Sequence, residues 1–358
     1  MKNSSSKEIA FVLGTKAQFI KCRYVLENFI EKGYSILILD TGQHKEITKK
    51  ELDVLNGNYR LINLSKNSKN ISSIPFMIIW FIKIIFSIKK IKELNKTFYC
   101  LVHGDTVSTL LGMIVGKKNN LKIVHIESGF TSGKILKPFP EELMRNIVTR
   151  YSDVLCIDTS INEKNIMKYE NKKQIIRISR NTIYDSVIKN IEYVGINRNL
   201  TIAVHRTENI YNKKLFDNFI NLLCEINALN LFDKIIWYTH DITIKTLIRR
   251  DYLSVLEKNN IYLEKLVPYK EFINILYASK AVITDGGSIA EECSILDIPT
   301  VLWRDVEEKM EILNQNVLLS KYQEDEIVKF LVKKSNRNPI SNNNESPSKE
   351  LVQKIIEL

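Results

Sequence analysis

Residues 98–129 read FYCLVHGDTVSTLLGMIVGKKNNLKIVHIESG, in which two short apolar runs enclose a longer amphipathic one. The short runs, residues 98–102 and 122–126, pass directly into the polar residues HGDT and ESG. This alternation is typical of parallel strands connected by helices. The stretch therefore predicts an α/β fold in which a parallel sheet is wrapped by helices.

The same alternation extends in both directions along the chain. The rhythm breaks near residues 181–198, and 358 residues suit two cores better than one. We therefore predict two Rossmann-like domains, residues 1–182 and 183–358, with parallel sheets facing a central cleft. Residues 335–349 are rich in Ser, Asn and Pro and predict a loose connector, and we expect the last helix, residues 350–358, to pack back on the first domain. The predicted strands are residues 8–13, 35–39, 98–102, 122–126, 154–157 and 174–178 in the first half, and 200–204, 234–238, 281–284 and 299–303 in the second.

Charge and cysteine usage narrow the classes of partner. A net charge of +11 favours an anionic partner, such as a nucleotide, an anionic membrane or nucleic acid. Lysines run through the whole chain, so a solvated lysine-rich surface is the competing interpretation. The five cysteines stand singly, without the pair or histidine spacing of a zinc site, and four lie in apolar stretches as small hydrophobes. We expect neither a metal site nor a disulfide framework.

Two segments bear on the compartment. The first residues, MKNSSSKEIAFVLG, lack the apolar run of a signal peptide, so we expect a cytoplasmic protein. Residues 74–91, IPFMIIWFIKIIFSIKKI, are strongly apolar but interrupted by lysine, and fall short of the roughly 18 uninterrupted apolar residues of a spanning helix. Two interpretations stay open: a helix buried in the core or in a dimer interface, and a helix on a membrane surface with Trp80 and Phe81 towards lipid.

Unusual polar clusters follow most of the predicted strands. Ligands of open α/β sheets bind outside the carboxyl ends of strands, where these clusters lie. No G-x-G-x-x-G follows the first strand and no P-loop occurs, so dinucleotide and P-loop sites lose their main support. Taken alone, residues 103–106 could be a turn in which Asp105 or Thr106 caps the following helix. Residues 285–288 could likewise be a glycine turn before a helix whose N-terminus suits a phosphate. The clusters are residues 14–16, 41–44, 103–106, 127–129, 205–206 and 285–288.

The order of the motifs carries more information than any one of them. Together they resemble the non-hydrolysing UDP-N-acetylglucosamine 2-epimerases, whose patterns are close to HGDTxS, HxEAG, PxPEExNR, GNTxxD, HRRE and TDSGGxQEE. TGQH at residues 41–44 extends the likeness over nearly the whole chain. The motifs here are VHGDTVSTL (102–110), HIESG (125–129), PFPEELMR (138–145), NTIYD (181–185), HRTEN (205–209) and TDGGSIAEECSILDIPTVLWRD (284–305).

This resemblance implies the two-domain GT-B fold, a UDP-sugar bound in the interdomain cleft, and no metal or nicotinamide cofactor. The implied reaction eliminates UDP to a 2-acetamidoglucal and adds it back with the proton on the other face of carbon 2, for surface polysaccharide synthesis. Such chemistry needs a positioned base and acid, and donors for the departing diphosphate. It implies no nucleic-acid partner, and we expect a homodimer.

The site residues are carried over by motif. Asp105, Glu127 and Glu141 match the acid/base carboxylates, and His205 the catalytic histidine beside the diphosphate. Glu292 matches the carboxylate that holds the ribose hydroxyls. The competing interpretations are a cap for Asp105, a core histidine for His205 and a surface charge for Glu142, which we leave as surface charge. The predicted substrate- and nucleotide-binding residues are Lys16, Gln43, His44, Arg145, Arg206, Gly286, Gly287, Ser288 and Glu292.

Departures from the family pattern concentrate in the phosphate and nucleotide loops. In the family's GTRPEAIK, Arg has become Lys16 and Glu has become Gln18, and Lys16 loses the bidentate fork of arginine. In DSGG the hydroxyl has moved two positions, to Ser288, and in RDxTERPE an Arg has become Lys309. A GT-B glycosyltransferase with a glycan or lipid-linked acceptor is therefore the alternative function, which a membrane-facing helix at residues 74–91 would favour.

Overall fold

The structure, a computed structural model, divides into two compact units. Unit 1 comprises residues 1–186 and 345–358, and unit 2 comprises residues 187–344. The structure describes residues 7–43, 52–65, 74–87, 91, 94, 97–131, 133, 139–192, 195–307, 309–313, 316–333, 337 and 345–358.

Unit 1 is built on a seven-stranded parallel sheet of order β3-β2-β1-β4-β5-β6-β7. β1 and β4, which precede two of the polar clusters, are neighbours, so their loops meet at one edge of the sheet. The strands are β1 (Glu8–Leu13), β2 (Ser35–Asp40), β3 (Tyr59–Asn63), β4 (Thr97–His103), β5 (Lys122–Ile126), β6 (Val154–Ile157) and β7 (Gln174–Arg177).

Helices cover both faces of this sheet. One face packs against α1 through side chains such as Phe19 and Phe29, and the other against α2 and α3 through Trp80 and Leu111. Both cores are apolar and buried, as expected for parallel strands. The helices of unit 1 are α1 (Lys16–Glu31), α2 (Ile74–Ser87), α3 (Val107–Lys118), α4 (Glu141–Tyr151), α5 (Ser160–Ile166), α6 (Ile183–Ile188, which runs across the division into unit 2) and α14 (Pro347–Ile356).

Helix α2 bears on the two interpretations of residues 74–91. Trp80 is buried in the core and Phe81 is half-buried against it, which favours the helix packed on the core over the helix with these two side chains towards lipid. The exposed side is formed instead by Phe76 (70% exposed), Phe86 (84% exposed) and three isoleucines between them. None of the helices in the described part of the chain is long and apolar enough to span a bilayer.

Unit 2 repeats the architecture with a six-stranded parallel sheet of order β10-β9-β8-β11-β12-β13. Its core is centred on Trp237 and Trp303, which both contact the Phe219 ring. The strands are β8 (Leu200–Ala203), β9 (Ile235–Thr239), β10 (Ile261–Lys265), β11 (Ala281–Thr284), β12 (Thr300–Leu302) and β13 (Val317–Leu319). The helices are α7 (Thr207–Tyr211), α8 (Lys213–Ala228), α9 (Asp241–Arg249), α10 (Leu253–Lys258), α11 (Tyr269–Ala278), α12 (Gly287–Ile295) and α13 (Glu324–Lys333).

The last helix, α14, lies in unit 1 and packs against α1 through Leu351, Val352 and Ile355. Its N-terminus is held by a residue of the NTIYD motif, because an Asp185 carboxylate oxygen accepts the Ser348 N–H at 2.8 Å. Ser346 caps the same turn by accepting the Lys349 N–H. The connector expected at residues 335–349 lies mostly outside the described residues.

The ten predicted strands are all present, within a residue or two at their ends. β3, β10 and β13 were not predicted from the sequence. All three lie at the edges of their sheets and are partly exposed. β3 and β10 contain charged residues and so lack the continuous apolar run of a buried strand, and β13 is apolar but only three residues long. The expected α/β fold with two parallel sheets is confirmed. All five cysteines are free thiols, and four of them are buried.

Candidate active site

The polar clusters of unit 1 come together at the carboxyl ends of β1, β4 and β5. Glu127, directly after β5, is the centre of one group of charges. Its Oε1 lies 2.9 Å from Lys21 Nζ, and its Oε2 lies 2.9 Å from His103 Nε2. All three side chains are buried. The charged and proton-binding atoms of Lys21, Glu127 and His103 are therefore shielded from bulk water, and the electrostatic interactions between them are stronger than in water.

The Glu127 backbone adopts the left-handed conformation, with φ of 61°. Non-glycine residues rarely occupy this region, at a cost of order 1–3 kcal/mol, and those that do are concentrated at functional sites. In this conformation the Glu127 side chain contacts Lys21 and His103.

Lys21 is a site residue that was not predicted from the sequence. It stands in the family-like loop at residues 14–21, but its importance was not inferred there because a lysine in a helix is usually solvated. Its spacing was a usable signal: Gln18 and Lys21 are three residues apart and share one side of α1.

Asp105 and Arg145 form the second group. Arg145, a predicted binding residue, is buried and pairs with the Asp105 carboxylate through Nη2 and with Glu142 Oε2 through Nη1 at 2.6 Å. Asp105 does not cap the following helix. That role belongs to Thr106, whose hydroxyl accepts the Thr109 N–H, so the capping interpretation of Asp105 is wrong.

Glu142 corrects a further expectation. It was assigned to surface charge, but it is only 1% exposed. Its carboxylate accepts from Arg145, from the Thr131 hydroxyl at 2.5 Å and from the Asn146 amide. Burial was hidden in the sequence because Glu141 and Glu142 are adjacent, and only the direction of the helix decides which faces inward. Glu142 thus fixes Arg145, which in turn fixes Asp105.

Glu141 begins α4 and is half-buried. Its Oε2 atom is buried and has no hydrogen-bond partner within the described residues. A buried polar atom without a partner costs free energy, about 1–3 kcal/mol. Such an atom is available to a ligand group.

The TGQH loop reaches the start of α3. Gln43 Oε1 accepts the Ser108 hydroxyl at 2.5 Å, and the Thr41 hydroxyl oxygen lies 2.7 Å from the Ser108 hydroxyl oxygen. Gly14 is required here, since a Cβ at that position would come within 1.9 Å of Ser108 Oγ. Lys16 is the first residue of α1 and is half-buried. His44 lies outside the described residues.

His125 contacts the loop that carries Asp105 through the backbone of Gly104. It is fully buried, and its Nε2 lies 2.8 Å from the Gly104 carbonyl oxygen. Burial lowers the pKa of His125 from 6.5 to about 4. The ring is therefore neutral at neutral pH and donates its Nε2 proton to Gly104.

Unit 2 places its predicted residues around Asp285, at the end of β11. Asp285 is fully buried and accepts the backbone N–H groups of His205 and Arg206, at 3.0 and 2.8 Å, and the Asn209 amide at 2.9 Å. The His205 side chain is 31% exposed, so the interpretation as a core histidine is wrong. Its ring centroid lies 4.6 Å from that of His240.

Next to this group, α12 begins at Gly287 without a side-chain cap. Ser288 is exposed in its first turn, and Gly286 is the N-cap. The unsatisfied N–H groups and the positive end of the helix dipole suit an anion such as phosphate. Glu292, one turn further along, is buried.

Two cations beside α12 are paired within unit 2. Arg304 Nη1 donates to Glu307 Oε2 at 2.7 Å, and Lys309 Nζ donates to Glu291 Oε2 at 2.8 Å. Within the described residues, no group of three or more His, Cys, Asp or Glu side chains is arranged to hold a metal ion.

Comparison with known proteins identifies the family. The sequence pattern of the UDP-N-acetylglucosamine 2-epimerase family matches residues 30–350 of this chain. The chain belongs to this family. The resemblance inferred from the motifs is thereby confirmed, and the chain is a member of a family of isomerases.

Relatives in this family match almost end to end. The UDP-N-acetylglucosamine 2-epimerase of Methanocaldococcus jannaschii is 26% identical, over 94% of this chain and 95% of its own. That of Methanococcus maripaludis is 29% identical over 87% of each chain. A crystal structure of the M. jannaschii enzyme in complex with UDP-GlcNAc and UDP superposes with a TM-score of 0.79 at 24% identity, covering 98% of this chain and 99% of that one, and shows the same fold.

Proposed function

We propose that this chain interconverts UDP-N-acetylglucosamine, or a modified relative, and its manno epimer. A base removes the proton from carbon 2 while the bond from carbon 1 to the UDP oxygen breaks, which leaves a 2-acetamidoglucal and UDP. UDP then adds back to carbon 1, and an acid delivers a proton to the opposite face of carbon 2. Family membership and the buried group formed by Lys21, Glu127 and His103 support this proposal.

The residues of unit 1 offer the acid and base. Glu127 is held between two nitrogen groups, Asp105 is paired with Arg145, and Glu141 has a carboxyl oxygen without a partner within the described residues. Removal and return of a proton on opposite faces of carbon 2 require a base and an acid at different positions, and three separately held carboxyl groups can supply them. We assign the acid/base steps to these three residues.

The residues of unit 2 offer the groups for UDP. The first turn of α12, with Gly286, Gly287 and Ser288, supplies N–H donors for a diphosphate, and His205 and Arg206 lie on the adjoining loop fixed by Asp285. We assign Glu292 to the ribose hydroxyls. Lys16 and Gln43 complete the proposed binding set in unit 1.

Proton NMR of the purified protein with UDP-N-acetylglucosamine in deuterium oxide, without an acceptor, tests the reaction. We expect the carbon-2 proton signal to disappear as UDP-N-acetylmannosamine forms, because the returned proton comes from solvent. Glu127→Gln should lower the exchange rate by roughly 10²- to 10⁴-fold, the usual contribution of an acid/base group. Glu257→Gln, at an exposed position of unit 2, is the matched control and should leave the rate unchanged.

Absence of exchange with every UDP-N-acetylhexosamine offered would contradict the proposal. It would favour the glycosyltransferase, which needs an acceptor before the bond to carbon 1 breaks. Full activity of Glu127→Gln would show that the acid/base assignment is wrong.

A further inference from the structure

Gln18 stands where the family pattern has a glutamate, and its side chain joins two loops of unit 1. It lies in the first turn of α1 and is 3% exposed. One loop, residues 14–16, follows β1, and the other, residues 103–106, follows the neighbouring strand β4 and carries Asp105.

Both ends of the Gln18 amide are satisfied. Its Oε1 accepts the N–H groups of Gly14 and Thr15, at 3.0 and 3.2 Å. Its Nε2 lies 2.8 Å from the His103 carbonyl oxygen and within 3.2 Å of the hydroxyls of Thr106 and Thr109. An amide can make this set of bonds because it carries an acceptor and a two-proton donor, whereas a carboxylate has no donor for the carbonyl of His103.

The same helix holds the other side of His103. Lys21, three residues after Gln18, pairs with Glu127, and Glu127 contacts the His103 ring. Gln18 therefore holds the His103 backbone while Lys21 holds the carboxylate beside its ring. A shift of residues 103–106 would move Asp105 and His103 together relative to Glu127.

We propose that Gln18 is a positioning residue, whose amide holds the loop of His103 and Asp105 at a fixed distance from Glu127 and from the loop of Lys16. The proposal rests on the proposed function, because the position of these groups affects a reaction rate only if they carry out the reaction. Gln18 touches no reacting atom. It acts through the His103 carbonyl.

Two substitutions test the proposal. Gln18→Leu keeps similar bulk and removes every hydrogen bond, and we expect kcat to fall roughly 10- to 100-fold with KM changed less than about 3-fold, since misplaced catalytic groups lower the rate of the chemical step. Gln18→Glu keeps the shape but can donate to His103 only when protonated. Gln174→Leu, at an exposed position on β7, is the matched control and should leave kcat unchanged.

The pH profile separates positioning from a general loss of structure. The N–H groups of Gly14 and Thr15 favour the ionised form of a carboxyl at this position, whereas the His103 carbonyl oxygen favours the protonated form, which alone can donate to it. We expect kcat of Gln18→Glu, relative to wild type, to recover as pH falls and to decline as pH rises, whereas Gln18→Leu shows no such recovery. The melting temperature of Gln18→Glu relative to wild type should move in the same direction with pH.

Unchanged kcat in Gln18→Leu would overturn the proposal. It would also be overturned if, at every pH, the kcat of Gln18→Glu stayed at a constant ratio to that of wild type and its melting temperature at a constant difference. If Gln18→Leu does not fold, Gln18→Glu alone decides. If the wild-type protein shows no turnover, the proposed function fails, and the pH dependence of the melting temperature still decides whether the amide holds His103.

Discussion

At the scale of single residues, the site is dominated by buried charges held in pairs. Arg145 with Glu142, and Lys21 with Glu127, are nearly inaccessible to water. Removing one member of a buried ion pair typically costs about 3–5 kcal/mol, since the other charge is left without a partner. Charges of this kind do little for net stability, so their retention fits a role in the chemistry of the site.

A prediction at this scale concerns His125. Its pKa is lowered to about 4 in the folded state against about 6.5 unfolded, so between these values the unfolded chain binds more protons and stability falls as pH falls. Over the whole window the loss from this group is about 3 kcal/mol. Urea denaturation at a series of pH values between 7 and 4 measures it.

His125→Gln keeps a donor for Gly104 but does not titrate, and serves as the reference. The difference in free energy of unfolding between wild type and this variant should shrink or reverse in sign as pH falls from 6.5 to 4. An identical pH slope in both proteins would contradict the assignment.

At the scale of elements, α14 shows how a segment distant in sequence completes a core. Leu351, Val352 and Ile355 fill the surface of α1, and Asp185 anchors the first turn. A helix at this position was predicted from the sequence. Its packing partner, α1, could not be predicted, because the contact joins residues more than 300 positions apart. Local patterns report the face of a helix and not the surface it covers.

The prediction for this element is a loss of stability. Leu351→Ala removes a fully buried side chain and should lower the free energy of unfolding by about 2–5 kcal/mol, as cavities in cores do. Lys349→Ala, exposed in the same helix, should change it by less than about 0.5 kcal/mol. Chemical denaturation followed by circular dichroism compares the two, and equal effects would show that α14 does not contribute to the core of unit 1.

At the scale of the whole molecule, the excess of positive charge matters for a dianionic substrate. The chain carries a net charge of +11. A field of this sign raises the rate at which an anion arrives and is screened by salt, with a Debye length of about 8 Å at 0.15 M. It acts on association and not on the chemical step.

We therefore expect kcat/KM for the UDP-sugar to fall roughly 3- to 10-fold between about 0.02 M and about 0.2 M salt, with kcat nearly constant. Sucrose at equal osmolarity is the control for effects of water activity. If kcat/KM does not change with salt, the lysines form a solvated surface and do not attract the substrate.

The sequence by itself determined the α/β class, two parallel sheets, the polar loops at the strand ends and the family, because these follow from short-range periodicity and from motif order along the chain. The tertiary structure alone decided that Glu142 is buried, that Lys21 pairs with Glu127 over 106 positions, and that Gln18 holds His103 over 85. It also turned Trp80 inward and gave the cap of α3 to Thr106. The physical reason is that burial and ion pairing depend on which distant segments meet. Local patterns of residue type and spacing indicate which side of an element carries the polar residues, but not which distant segment meets it.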